Sequence, residues 1–201
     1  MGLGSSVNLY KDSGLFELKK IAVNNADSQL DIDLTYDMEC RPAKDWQHKG
    51  EWVSSIYSNV DNADYYTEFY VPEGEFDFNV DKIAFCHSSV IGALWLAIYQ
   101  GCKKIYLVGA DFCFGPYNQR FFWDRKDYVG GQWYALTEDY VKGVRLKNGE
   151  DMSKDKMTPF YNLMRTKAIN VIEKLGLYCV ENNIKLYNMS PYIKFANMEN
   201  V

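Results

Sequence analysis

The sequence predicts an α/β domain with a doubly wound, mainly parallel sheet, and three observations favour it. Residues 90–100 are apolar on nearly every side, which is typical of a helix buried between other elements. Short apolar runs at 82–86 and 105–108 flank this helix, as expected for central parallel strands that are covered on both faces. A long helical pattern and a last apolar run follow near the C-terminus, so strands and helices alternate.

The other elements are predicted from periodicity and turn residues. Gly101 is expected to end the buried helix, because glycine suits the left-handed residue that closes a helix. The remaining predictions are a helical stretch at 11–20, strands at 21–23 and 30–38, loops with one or two short elements at 39–74, an edge strand at 69–71, a helix at 159–182 and a strand at 184–187.

Residues 114–158 are rich in Gly, Tyr, Trp and charged side chains and show no sustained periodicity. A stretch of this length without regular structure is usually functional or disordered, and its aromatic content argues against disorder. We therefore predict a single nucleotide-binding domain, residues 1–201, with an aromatic-rich lid insertion at 114–158.

Composition excludes several classes of function. The net charge of −5 argues against a general nucleic-acid binder, although one nucleotide can be held by backbone N–H groups. The five cysteines form no C-x-x-C pair, which disfavours a zinc site or a disulfide framework and favours the reducing cytoplasm. There is no signal peptide and no apolar stretch of about 18 residues, so no transmembrane segment is expected. Peripheral association with the inner membrane face and a homo-oligomer through the many aromatic side chains stay open.

Candidate site residues follow from one rule. In an open parallel sheet, ligands bind beyond the carboxyl ends of the strands. Small or polar residues that follow or interrupt apolar runs are therefore the candidates: Gly4, Ser5, Ser6, Asn24, Asn25, Asp37, His87, Ser88, Ser89 and Asp111.

Two of these segments carry groups that can bind a phosphate. Residues 4–6 can place bare N–H groups and two hydroxyls against it, or can form an ordinary turn. Ser88 and Ser89 are expected to cap the buried helix, which contributes about 1 kcal/mol, and the same helix N-terminus can also hold an anion.

The ionisable candidates have alternative structural or functional roles as well. His87 can donate a proton or can simply end a strand in a satisfied hydrogen bond. Asp111 can hold a ribose hydroxyl, bind a metal or cap the following turn. Asp37 is the one other carboxylate in an equivalent place, so no metal is firmly implied, although Mg²⁺ is possible. No nucleophile elbow, Walker motif or H-E-x-x-H is present.

Five segments resemble a known group of proteins. They are Gly2-Leu3-Gly4-Ser5-Ser6 followed by residues 21–25, the stretches 88–101 and 104–112, and the closing residues 184–191. Together they are similar to the 6-hydroxymethylpterin pyrophosphokinase-like Rossmann family. That family is related to the bacterial sialyltransferases that use CMP-activated sugars, and it includes the motility-associated glycosylation factors.

The resemblance implies a Rossmann-like fold with a nucleotide among the glycine and serine loops. The nucleotide would lie near Gly2, Gly4, Ser5, Asn24, Ser88 and Ser89, beside the loops of Asp37 and Asp111. The lid would hold a glycan acceptor, and a lid tyrosine would hydrogen-bond the departing phosphate; the candidates are Tyr117, Tyr128 and Tyr134.

The sequence departs from this group in three ways. The sialyltransferases carry a histidine base in the lid, whereas residues 112–201 contain no histidine. His87 or a carboxylate such as Asp124 or Asp127 would then act as base, or the chemistry differs. The pterin enzymes cluster aspartates where this chain keeps Asp37 alone. The apolar run that precedes the glycine turn in the family is missing before Gly2, so a fragment, a late start or another source for that strand is expected.

Three functions remain as hypotheses at this point. The first is a nucleotide-dependent transferase, a sialyltransferase-like glycosyltransferase that uses a CMP-activated sugar in surface polysaccharide biosynthesis. The second is a Mg²⁺-dependent pyrophosphokinase acting on a pterin-like alcohol. The third is a non-catalytic, degenerate member of the family.

Overall fold

The computed structural model describes residues 5–10, 12–23, 30–37, 50–56, 63–70, 82–84, 88–110, 154–191 and 193–201. Within these ranges the chain is a mixed α/β protein built on parallel strands. Its strands are β1 Ile21–Val23, β2 Leu34–Asp37, β3 Glu51–Ser55, β4 Tyr65–Thr67, β5 Phe69–Tyr70, β6 Ile83–Ala84, β7 Lys104–Leu107, β8 Lys185–Asn188 and β9 Glu199–Asn200. Its α-helices are α1 Ser89–Tyr99 and α2 Lys154–Glu181, and two 3₁₀ helices span Ser5–Leu9 and Gly14–Glu17.

The described strands form three hydrogen-bonded groups: β1 to β4 in that order, β5 with β6, and β7 to β9 in that order. Each pair of neighbours is parallel, which confirms the predicted α/β class with parallel sheets. A single apolar cluster contains side chains from all three groups, for example Leu34, Ile83 and Leu107, together with α1 and α2. The groups therefore share one core.

Strands β1 and β7 are covered on both faces. Val23 belongs to the core with the two α-helices, whereas its neighbour Ala22 belongs to a second cluster. Leu107, the last residue of β7, likewise belongs to the core with the helices, and Val108, which follows it, belongs to the second cluster. Side chains of a strand alternate between faces, so each strand lies between two apolar layers. The N-terminal 3₁₀ region supplies the second layer, through Val7 and the partly buried Leu15 and Phe16.

Both helices end as their sequences favour. Gly101, at φ 80°, closes α1: its N–H donates to the Ile98 carbonyl, and the Cys102 N–H donates to the Ala97 carbonyl. Asn183, at φ 56°, closes α2 by the equivalent pair of bonds to Val180 and Cys179. These are Schellman motifs, in which a left-handed residue satisfies the last helical carbonyls. The prediction for Gly101 is confirmed.

Several predicted boundaries were wrong. The helix predicted at 159–182 begins at Lys154, so residues 154–158, which the lid prediction included, are helical. Proline prefers the first position of a helix, but Pro159 lies in the second turn, where it removes one main-chain hydrogen bond. The helical stretch predicted at 11–20 is reduced to the short 3₁₀ helix Gly14–Glu17. The second strand begins at Leu34 rather than at residue 30. The rest of the predicted lid, 114–153, lies outside the described residues.

Cys179 of α2 is enclosed in the core, and burial raises the pKa of its thiol to about 11. The pKa is higher in the folded state than the unfolded value of about 9. The neutral thiol therefore makes its full contribution to stability at pH values below about 9. That contribution is lost as pH rises towards about 11. We expect iodoacetamide at pH 8 to label the half-buried Cys102 in the native protein and to spare Cys179 until urea unfolds it. Mass spectrometry of the peptides checks this, and rapid native labelling of Cys179 would contradict it.

Candidate functional site

The carboxyl-terminal edge of the parallel strands carries polar side chains, as the sequence predicts. Asp37 ends β2 and pairs in register with Ser54 of β3. Ser54 donates a hydrogen bond from its hydroxyl to the Asp37 carbonyl (3.4 Å), and Thr67 of β4 donates to the Ser54 carbonyl (3.4 Å). Asp37 is only 4% exposed. A polar row therefore crosses three strand ends, with a carboxylate at one end of it.

The first turn of α1 lies over the end of β2. A Cβ atom added at Gly92 would stand 2.5 Å from the Tyr36 hydroxyl oxygen and 2.6 Å from its Cζ, so the ring packs directly on the helix backbone. Tyr36 precedes Asp37, and Gly92 follows Ser88 and Ser89 by about one turn. The serine pair and the Asp37 strand end consequently lie at the same edge of the sheet.

Ser88 occupies the N-cap position of α1, with extended φ −150° and ψ 120°. Its carbonyl accepts the Ile91 N–H (3.0 Å), but within the described helix its hydroxyl makes no capping hydrogen bond. The expectation that this side chain caps the helix was wrong, because the first turn is closed through the main chain instead. Ser89 follows as the first helical residue and is buried.

The N-terminal segment reaches the end of β7. The Gly109 N–H donates to the Ser6 hydroxyl oxygen (3.1 Å) across more than half the chain, and both residues are buried. Gly109 has φ 76°, a conformation that favours glycine, and it stands two residues before Asp111. The glycine/serine segment and the loop after β7, two of the predicted site segments, are thus joined by a buried hydrogen bond.

Loss of the Ser6 hydroxyl should leave the buried Gly109 N–H without this acceptor. We expect Ser6→Ala to lower the free energy of unfolding by about 1–3 kcal/mol, the usual penalty for such a group. Ser13→Ala is the matched control, because Ser13 bonds the Tyr10 carbonyl (2.7 Å) at a half-buried position and should cost less than about 1 kcal/mol. Urea unfolding measures both, and equal losses would contradict the account.

The loop after β8 is a part of this edge that sequence reasoning did not include among the site residues. The Met189 N–H donates to the Leu107 carbonyl (3.1 Å), and the Ser190 N–H donates to the side-chain oxygen of Asn188 (3.1 Å). Met189 also shares an apolar cluster with Val7 and Val108. The signal was present in the sequence, since the polar residues Asn188 and Ser190 follow the last apolar run directly.

Most of the other predicted residues lie outside the ranges that the structure describes. In the described ranges no three His, Cys, Asp or Glu side chains gather as a metal site would require. The site residues that lie outside those ranges are Gly2, Gly4, Asn24, Asn25, His87, Asp111, Tyr117, Asp124, Asp127, Tyr128 and Tyr134. Ser5 lies in the first 3₁₀ helix.

Neither described α-helix combines the length and the apolar character that crossing a membrane would require. Comparison with protein-family models, with curated proteins and with solved structures found no match to this chain.

Proposed function

We propose that the chain is a nucleotide-dependent transferase with a Rossmann-like, doubly wound fold, and that it uses a CMP-activated, sialic-acid-like sugar. The observation that carries the proposal is the Ser6–Gly109 hydrogen bond (3.1 Å), which joins the glycine/serine segment to the end of β7. A nucleotide site at this position of a parallel sheet is the usual arrangement in open α/β folds. Cover on both faces of β1 and β7 supports the doubly wound arrangement.

The phosphate of the nucleotide would be held at the start of α1. Backbone N–H groups of a first helical turn point outward and carry partial positive charge, which suits an anion. The Ser88 hydroxyl, which makes no capping bond in the described helix, would add a donor. Gly2, Gly4, Ser5, Asn24 and Asn25 would line the rest, with Asp37 beside the ribose.

In the proposed reaction, the acceptor hydroxyl oxygen forms a bond to the anomeric carbon of the sugar. The bond from that carbon to the phosphate oxygen breaks, and CMP leaves with the electron pair. A base takes the hydroxyl proton, for which His87, Asp111, Asp124 and Asp127 are the candidates. A tyrosine among Tyr117, Tyr128 and Tyr134 would stabilise the departing phosphate. We place this reaction in the cytoplasm, on a glycan acceptor.

The buried carboxylate of Asp37 favours a second candidate, diphosphate transfer from ATP to a pterin-like alcohol with Mg²⁺. The two functions differ in their ligands. The transferase should bind CMP without metal, whereas the kinase should bind ATP only with Mg²⁺ and should lose that binding in Asp37→Asn.

Calorimetric titration with CMP, CDP, UDP and ATP, each with and without Mg²⁺, tests the proposal. We expect metal-independent CMP binding that weakens about tenfold in Ser88→Ala, because one hydrogen bond to a charged phosphate is lost. Ser13→Ala should leave the affinity unchanged. If no nucleotide binds at millimolar concentration, the proposal fails and a degenerate, non-catalytic member of the fold is the better account.

A further inference from the structure

The C-terminal residues 193–201, here called the C-terminal segment, fold back onto the loop after β8. Asn188 is fully buried, and its side-chain amide donates to the Ile193 carbonyl (2.6 Å) and to the side-chain oxygen of Asn200 (2.9 Å). Asn200 accepts the Phe195 N–H (3.0 Å) and donates to the Phe195 carbonyl (2.8 Å). Two asparagine side chains therefore tie the segment to the strand end.

The main chain reinforces this connection. The Val201 N–H donates to the Asn188 carbonyl (3.0 Å), and β9 pairs with β8 in parallel. On its other side, the loop 188–190 is bonded to β7 through the Met189 N–H and the Leu107 carbonyl (3.1 Å). The C-terminal segment and the end of β7 thus hold the same loop from opposite sides.

The end of β7 is the position that the proposed site requires. Val108 packs in one cluster with Met189 and with Val7 of the N-terminal segment. The next residue, Gly109, bonds Ser6. A shift of the loop 188–190 would be transmitted to Gly109, because close-packed side chains have little free volume to absorb it.

We infer that the Asn188–Asn200 pair is a positioning element for the nucleotide site, which it keeps in shape by holding the loop 188–190 against the end of β7. The inference rests on the proposed function for its consequence in binding. Neither asparagine need touch the ligand, because the pair acts through the backbone between Leu107 and Gly109.

The chain offers a matched control on the same segment. The Glu173 carboxylate on α2 accepts the Ala196 N–H (2.8 Å) and the Asn197 N–H (3.2 Å). These bonds also dock the C-terminal segment, but they fix it to α2 and not to the loop 188–190. Loss of Glu173 should therefore loosen the segment and leave the strand ends in place.

The test compares Asn200→Ala with Glu173→Ala in the full chain, by NMR-detected amide hydrogen exchange and by calorimetric titration with CMP. In Asn200→Ala we expect the Gly109, Met189 and Ser190 amides to exchange about tenfold faster, and CMP to bind about tenfold more weakly. Glu173→Ala should change neither these exchange rates nor the affinity for CMP. Unchanged exchange at Gly109 and Met189 in Asn200→Ala, or equal changes in both variants, would overturn the inference.

A wild-type measurement covers the case in which Asn200→Ala does not fold. At increasing, sub-denaturing urea, the Met189, Ser190 and Val201 amides should open together as one unit. Opening of Val201 at lower urea, with Met189 still protected, would overturn the inference. Failure of the wild type to bind CMP would instead overturn the proposed function. The hydrogen-exchange measurement tests the positioning of the loop 188–190 independently of CMP binding.

Discussion

Gly92→Ala is expected to lower the free energy of unfolding by about 3 kcal/mol. The added methyl group would stand 2.5 Å from the Tyr36 hydroxyl oxygen, far inside van der Waals contact, and Tyr36 is fully buried. Neither the ring nor the first turn of α1 can move without opening the core. Overpacking of this kind costs about 1–3 kcal/mol, and an aromatic ring held against helix backbone belongs at the upper end.

Urea or thermal unfolding measures the effect, and Gly14→Ala is the control, because a Cβ atom there would meet nothing within 4 Å. The smaller side chain in Tyr36→Leu should recover part of the loss in a Gly92→Ala background, as expected for two residues in direct contact. Additive losses in the double variant would show that β2 does not pack on α1 at this point.

Phe195→Ala is expected to lower the free energy of unfolding by about 3–5 kcal/mol, the range for deleting a buried aromatic side chain. Phe195 is 1% exposed and belongs to the core formed with α1 and α2. For a chain of this size the melting temperature should fall by about 10 °C. Differential scanning calorimetry measures it.

The neighbouring Lys194 is exposed, so Lys194→Ala should change the melting temperature by no more than about 1–2 °C. Phe195→Leu keeps most of the buried volume and should lose clearly less than Phe195→Ala. A small effect of Phe195→Ala would contradict the account in which the C-terminal segment is part of the core.

Much of this fold follows from apolar periodicity. The run at 90–98 predicts a buried helix, and α1 is buried from Ile91 to Ala97. Strands β1, β7 and β8 also fall within a residue or so of their predicted places, because continuous apolar runs next to turn residues leave few alternatives.

The less regular strands could not be predicted in this way. Strand β3 has the sequence Glu-Trp-Val-Ser-Ser, which contains too few apolar residues to show a period, and its pairing with β2 determines its conformation. Strand β9 consists of Glu199 and Asn200, which have low β-propensity. It forms because the Asn200 side chain bonds Asn188 and Phe195, a tertiary effect that no local pattern records.

The places of several candidate residues at strand and helix ends could be predicted, but their contacts could not. The strand-end rule selects Ser6, Asp37 and Ser88 from the sequence alone. It could not predict that Ser6 is fully buried and bonds Gly109, or that the Ser88 hydroxyl does not cap α1. Both depend on contacts between segments that are distant in the sequence.

The most direct test of a nucleotide site at the carboxyl-terminal edge of the sheet is to locate the nucleotide by amide-resolved NMR during a CMP titration of the wild-type chain. Binding at the carboxyl-terminal edge predicts shifts at Ser6, Gly109 and the first turn of α1 from Ser88 to Ile91. The amides at the opposite end of α1, near Gly101, should not shift. Saturable binding that leaves Gly109 and Ser88 unshifted, or the absence of binding, would contradict the account.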